Sequence, residues 1–180
     1  MFISLIQLKA KDSYQQHQAI WSLFPNRPEG IRDHLFRIES VEGTAVKALL
    51  QSATEPMTSE VASVLQSKRF ILQLENASQY RFKVTANPTK KDSRSGRLMD
   101  LVSEEEQVAW LQRKLEGARV TVTSIDSKLI NYNSHQFTRF VTFEGVIQVE
   151  DVDRVQEYVV KGIGRKKHAG AGLLSLARMI

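Results

Sequence analysis

Apolar and polar positions alternate along this chain with two different periods, and the switches between them divide it into short elements. "FISLIQLK" (2–9) alternates with period two, as a half-buried strand does. "DSYQQHQAIWSLF" (12–24) spaces its apolar residues three and four apart, the repeat of an amphipathic helix, and opens with a D-x-x-Q capping box from Asp12 to Gln15. "PNRP" stops it. "HLFRIES" and "TAVKALLQS" then read as strands joined by the turn "VEG", followed by a short helix, "SEVASVLQS", and a strand, "RFILQLE". The resulting order, β-α-β-β-α-β, is the ferredoxin-like one.

The second half repeats that order more loosely. "QYRFKVTANP" is a strand, "KKDSRSG" a basic loop, and "SEEEQVAWLQRKLEG" a helix with an S-x-x-E box from Ser103 to Glu106 and a terminal Gly117. "ARVTVTSID", "KLINYN" and the long alternating "QFTRFVTFEGVIQV" are strands, a helix spans 152–161, and "LLSLARMI" is a last strand. The pattern predicts an α+β protein of two ferredoxin-like halves packed side by side, divided near Asn76 to Gln79 into domains 1–77 and 78–180. No Pro- or Ser-rich linker separates them, so the same elements also fit one larger α+β domain.

Composition narrows the class of protein. With 180 residues, 42% of them hydrophobic, the chain can bury a real core. No apolar run approaches the ~20 residues of a membrane span, and "MFISLIQLKAKD" becomes charged too soon for a signal peptide, so a cytosolic protein is expected. Zero cysteines excludes disulfides, thiolate zinc sites and cysteine nucleophiles. Charge is concentrated: residues 81–97 hold six Lys or Arg against one Asp, and residues 161–180 hold five against no acid. Those two segments exceed the net +5 of the whole, so the remainder is acidic. Two compact basic segments on an acidic body point to a localised anionic partner such as a phosphate backbone, the alternative being two solvated loops.

The second basic segment contains "KGIGRKKHAGAG", with Gly162, Gly164, Gly170 and Gly172. A nucleotide-binding glycine loop follows a strand and opens a helix, whereas this one follows a helix and leads into a strand, and it lacks GK[ST]. NAD and nucleoside triphosphates are therefore not its ligands. Its glycines suit either close approach of backbone amides to a phosphate or flat packing against a neighbouring helix.

Four histidines are present, His17, His34, His135 and His168, and no two are close enough in sequence to suggest a metal site. On a helical wheel of about 100° per residue, Tyr14, His17, Trp21 and Phe24 share one arc, which places His17 among aromatic residues near the edge of the buried face. Such a histidine is either a packed structural residue or, with an ordinary imidazole pKa of about 6.5, a proton carrier at neutral pH. His34 begins a strand and His135 sits in a turn, and both read as surface or partly buried residues; His168 lies in the glycine loop, where phosphate or solvent is its partner. The run Glu104–Glu106 is favourable charge at a helix N-terminus, and Trp110, Leu111 and Leu115 are core residues of that helix.

"YQQHQAIWSLFPNRP", "LLQSA", "ANPTK", "EQVAWLQRKL", "FEGVI" and "GIGRKKHAGAGLLSLA" occur in an order and spacing that resemble the CasE subfamily of CRISPR-associated RNA-processing endoribonucleases of type I-E Cascade. The resemblance covers essentially the whole chain. It implies a tandem ferredoxin-like (RRM-like, RAMP superfamily) fold. It further implies an enzyme that cuts precursor CRISPR RNA at the base of the repeat hairpin and stays on the mature crRNA beside other Cascade-type subunits. Cleavage in the family uses no metal or cofactor: the 2′-hydroxyl attacks the phosphate, leaving a 2′,3′-cyclic phosphate and a 5′-hydroxyl. An alternative is a subunit that only holds the processed hairpin.

By position, the resemblance makes His17 the catalytic histidine and Tyr14 its partner. The candidates for RNA contact are Arg27, Arg81, Lys83, Lys90, Lys91, Arg94 and Arg97, together with Arg165, Lys166, Lys167 and His168 of the glycine loop. Duplex RNA hides its base edges in a deep major groove, so a basic loop inserted there reads phosphates and, through Arg, a guanine. Three departures stand out. The 88–97 loop is short for the family; Ser22 occupies a position where some members carry a second cation; and Arg165 replaces a proline while His168 matches nothing in the pattern.

Overall fold

In the computed structural model, residues 1–26, 33–133 and 136–179 are described. The chain runs β1 (Phe2–Lys9), α1 (Ser13–Trp21), β2 (His34–Glu42), β3 (Ala45–Ser52), β4 (Ala62–Arg69), β5 (Gln79–Ala86), β6 (Thr89–Lys91), β7 (Leu98–Asp100), α2 (Glu104–Lys114), β8 (Ala118–Asn133), β9 (Gln136–Val149), α3 (Val152–Lys161) and β10 (Leu174–Arg178). Two four-stranded antiparallel sheets result, in the orders β2-β3-β1-β4 and β10-β5-β9-β8. Numbered within each half, both are the 4-1-3-2 order of the ferredoxin-like fold. The β6–β7 hairpin is an insertion between β5 and α2.

Each sheet buries one face under helices. Ile20 and Leu23 seal α1 onto Ile6, Leu8, Phe36 and Leu50 of the first sheet. Trp110 and Leu111 of α2 and Val155 and Val159 of α3 cover Phe82, Val84, Phe143 and Ile147 of the second. Each fully buried side chain of this size contributes about 2 kcal/mol from transfer out of water.

The expected helix over "SEVASVLQS" is not formed; the segment is β4, paired antiparallel with β1, and "RFILQLE" beyond it is largely irregular. A helix would have put Val61 and Leu65 on a buried face, yet both are exposed, while Ala62 and Val64 turn inward with period two. Ser59 shows why the start signal misleads. Its hydroxyl accepts from Ala62 N at 3.1 Å, as an N-cap would, but here the bond closes a turn into the strand. Among the described residues the first half therefore has one helix, not two.

Two further elements differ from expectation. "ARVTVTSID" and "KLINYN" run on as the single sixteen-residue β8. The basic loop is a hairpin, closed by Asp92, whose carboxylate takes the Ser95 amide at 2.8 Å. That carboxyl is held below its ordinary range by hydrogen bonds from Ser95, its hydroxyl first.

A buried guanidinium joins the halves. Arg37 of β2 is 4% exposed; its Nη1 donates to Lys83 O at 3.2 Å, Leu173 O at 3.4 Å and Ser175 Oγ at 2.9 Å, and its Nε to Glu39 Oε1 at 2.7 Å. Gln51 Nε2 adds a bond to Val159 O at 2.7 Å. Helix α1 lies at this junction, with sheet one on one side and both β8 and the glycine loop on the other.

Candidate functional site

Helix α1 begins as expected: Gln15 N donates to Asp12 Oδ1 at 2.8 Å. Gln15 Oε1 returns to Lys11 N at 2.8 Å, one residue earlier than the usual box. This cap sets the rotation of the helix, and with it the direction of His17 one turn later. Ile20 and Leu23 face the sheet, which leaves His17 and Trp21 half-buried on the flank toward the second half and Tyr14 exposed.

His17 is held by its neighbours on the wheel. Trp21 Nε1 donates to His17 Nε2 at 3.0 Å. An indole nitrogen can only donate, so the accepting Nε2 carries no proton and the neutral ring's hydrogen is on Nδ1. Tyr14, 67% exposed, accepts from Gln18 Nε2 at 3.0 Å and keeps its own phenolic proton to donate.

The fold gathers histidines that are far apart in sequence. His168 stands edge-on to His17, ring centroids 6.4 Å apart at 88°. On the other side of Trp21 lies His34, 5.4 Å from it and stacked on Phe24 at 5.6 Å. His34, expected at the surface or partly buried, is 4% exposed. Among the described residues no cluster of three or more His, Cys, Asp or Glu stands at metal-ligand spacing.

His168 reaches His17 because the 3-10 turn of the glycine loop packs against α1. After α3, Gly162 turns at φ +72°, and the chain enters a 3-10 turn, Lys167–Ala169. The loop closes on itself and on β5: Ile163 N donates to Gly172 O at 3.0 Å, and Gly172 N to Thr85 O at 2.7 Å. At Gly172, φ is +96° and a Cβ would sit 2.7 Å from Ile163 O, so only glycine fits. Gly164 and Gly170 press against Trp110 and Phe36. These glycines therefore pack the loop onto α2, β2 and β5, with the 167–169 turn against α1.

The two basic segments of the sequence meet in space. A cleft of about 410 Å³ is lined by Thr89 and Leu98 of the hairpin, Asp100, Phe137, and Arg165 and Lys166 of the glycine loop. Asn87 Nδ2 donates to Asp100 Oδ1 at 2.9 Å and to Arg139 O at 2.8 Å, fixing the base of the hairpin beside that loop. Arg165, which lines it, is exposed, as are Lys91, Arg94 and Arg97 of the hairpin and its turn. A second cleft, about 490 Å³, runs between the halves past Gln16, Glu39, Asp126, Lys128 and Phe140. Its mixed charge makes it the poorer phosphate track.

Several expected contacts are placed otherwise. Lys90 is engaged with Glu106 at 2.7 Å, and Lys83 bridges Glu39 at 3.4 Å and Glu144 at 3.1 Å, so both cations are already matched. Arg81 is exposed on β5, beside Ala177 of β10. Lys167 Nζ donates to Lys161 O at 2.6 Å, and burial holds its pKa below the ordinary lysine value. Ser22 Oγ donates to Ala19 O at 2.7 Å and pairs with Ser59 Oγ at 2.6 Å, fastening the helix end instead of facing a substrate. Arg27 and His135 lie outside the described residues. Sequence reasoning put Trp21 on the arc beside His17 but missed it as the ring's hydrogen-bond donor, although the i,i+4 spacing is a signal for a side-chain contact.

The profile of a family described as "CRISPR associated protein" matches residues 4–178. The chain is 39% identical to the CRISPR system Cascade subunit CasE of Escherichia coli (strain K12), over 93% of each chain. It is 29% identical to the CRISPR-associated endoribonuclease Cse3 of Thermus thermophilus, over 91% of this chain and 89% of that one. The solved structure of Thermus thermophilus Cse3 bound to an RNA representing a pre-cleavage complex superposes with a TM-score of 0.83 at 26% identity, covering 98% of this chain and 100% of the other.

Proposed function

The chain belongs to the CRISPR associated protein family, and from that premise we propose that it is an endoribonuclease that cuts precursor CRISPR RNA at the base of the repeat hairpin. It keeps the hairpin afterwards as a Cascade subunit alongside other Cas proteins, in the cytoplasm. The observation that carries the reading is the convergence of His17 on α1 with the cationic glycine turn, 6.4 Å from ring to ring. The relatives' names, an endoribonuclease and a Cascade subunit, agree with it.

The chemistry needs no metal. The 2′-hydroxyl next to the scissile bond attacks phosphorus, and the 5′-oxygen leaves, giving a 2′,3′-cyclic phosphate and a 5′-hydroxyl. One proton must be removed and one supplied, which is imidazole work at neutral pH. His17 is the proton-transfer group. Tyr14 donates to the phosphate, and Lys166 and Arg165 offset the charge that develops on its equatorial oxygens. Lys91, Arg94 and Arg97 on the β6–β7 hairpin bind the RNA stem through its phosphates. The chain divides into domains 1–77, which supplies α1, and 78–180, which supplies the hairpin and the loop.

Incubating the protein with its own repeat RNA in EDTA tests this, beside a copy with a single 2′-deoxy at the nucleotide before the cut. Cleavage of the ribose substrate alone is the expected result. Cleavage of the deoxy copy, or a requirement for added metal, overturns the mechanism.

A further inference from the structure

We propose that His168 is the second proton-transfer group of the reaction: it protonates the departing 5′-oxygen as general acid, while His17 takes the 2′-hydroxyl proton as general base. The proposal rests on the endoribonuclease reading above. It assigns the half of the proton chemistry that a single imidazole leaves undone and that Ser22, fastened to Ala19 and Ser59 at the end of α1, does not supply.

Three observations carry it. The rings of His17 and His168 stand 6.4 Å apart and perpendicular. In an in-line displacement the attacking and leaving oxygens lie on opposite sides of one phosphorus, and each proton-transfer group must come within about 3 Å of its own oxygen. Two imidazoles at this separation can serve one phosphate from two directions. The turn that carries His168 is also rigidly held: Ala169 N donates to Lys166 O at 2.9 Å, and Ala169, 6% exposed, packs with Ala171 against Phe140. A group fixed in this way is presented at no added ordering cost when RNA arrives.

The third observation divides the roles. Trp21 holds His17 with Nε2 unprotonated, which is the form a base needs. The indole N–H occupies the place that an incoming 2′-hydroxyl donor takes when it displaces it. His168 lies on a turn between Lys166 and Gly170, so the turn that presents its imidazole also carries the Lys166 cation two residues away. His34, stacked on Phe24 and 4% exposed, is too enclosed to compete for either role.

The step balances. The P–O2′ bond forms as the 2′-hydroxyl proton passes to His17 Nε2; the P–O5′ bond breaks as a proton passes from the His168 imidazolium to O5′. His17 ends protonated and His168 neutral, and exchange with solvent resets both.

A sulfur-substituted substrate separates this role from mere positioning. The repeat RNA is prepared with its ordinary 5′-oxygen, and with sulfur at that bridging atom of the scissile phosphate, because a thiolate leaves without a proton. His168→Ala and His168→Asn are compared in single-turnover cleavage in EDTA, with RNA affinity measured in parallel. The asparagine keeps an amide donor but has no transferable proton. On the oxygen substrate both variants are expected to be about 10²- to 10⁴-fold slow, the range for losing a general acid. On the sulfur substrate they should recover to the unaltered protein's rate, while His17→Ala stays slow on both. Variants that cut the oxygen substrate at the unaltered rate, or stay equally slow on the sulfur one, overturn the assignment of His168. Failure of the unaltered protein to cut either substrate overturns the endoribonuclease reading, and this inference with it.

Discussion

The indole of Trp21 donates to Nε2 of His17 at 3.0 Å, so the side chain one turn along α1 sets the proton position on the candidate catalytic ring. Trp21→Phe keeps the aromatic bulk and removes the donor. A hydrogen bond of this kind is worth about 1 kcal/mol, so the population of the Nδ1–H tautomer should fall by roughly fivefold relative to its alternative. Nitrogen chemical shifts of the His17 ring report this directly. An unchanged tautomer balance would mean that Trp21 packs the ring without orienting it.

Arg37 is the buried link between halves, with acceptors on β5, β10 and the segment just before β10. Arg37→Met should lower unfolding free energy by about 3 kcal/mol, because carbonyls that met a charged donor are left buried without it. Urea denaturation measures the loss. Arg37→Lys should recover only part of it, since an ammonium cannot reproduce the guanidinium fork.

Gly172→Ala introduces a Cβ 2.7 Å from Ile163 O at a φ of +96°. Backbone strain of this kind costs about 1–3 kcal/mol. Thermal unfolding should shift down, and cleavage should fall further than stability accounts for, because the same loop aims His168 at α1. RNA affinity should change little, since the hairpin cations are untouched.

The Lys90–Glu106 pair fixes the β6–β7 hairpin to the start of α2. The hydrogen bond from Lys90 is the main cause that holds the Glu106 carboxyl below its ordinary 4.5; desolvation opposes it, and the Lys90 charge and a hydrogen bond from Ser103 add to the lowering. With the folded value depressed, the pair's contribution is present above pH 4.5 and is lost as pH falls through the folded value. Proton titration of Glu106 by NMR checks the direction. At neutral pH, Glu106→Gln releases Lys90 for phosphate. RNA binding should tighten, with the slope of log affinity against log salt steeper by about 0.7–0.9. An unchanged slope would place Lys90 away from the RNA.

Much of this fold was legible in periodicity. The spans of β1, α1, β2, β3, β5, α2 and α3 follow from apolar spacing and from the caps at Asp12 and Ser103, and the aromatic arc around His17 followed from the wheel. β4 was not legible, because Ser59 makes the same local bond at a turn as at a helix cap, and only pairing with β1 decides between them. Charge counting found the two basic segments but could not tell Lys91 and Arg94 from Lys83 and Lys90, whose carboxylate partners come from other elements. His168 could not be paired with His17 from sequence, since about 150 residues separate them and the loop's packing brings them together. The glycines that looked like a misplaced phosphate cradle are what makes that packing possible.

The proposed role of His17, on the helix between the two halves, is proton transfer in RNA cleavage. His17→Ala, measured in EDTA against the repeat hairpin with cleavage and binding followed on the same samples, tests it most directly. The expected result is RNA affinity within about twofold of the unaltered protein and a cleavage rate lower by about 10²- to 10⁴-fold. A variant that binds and cuts as fast as the unaltered protein would contradict it.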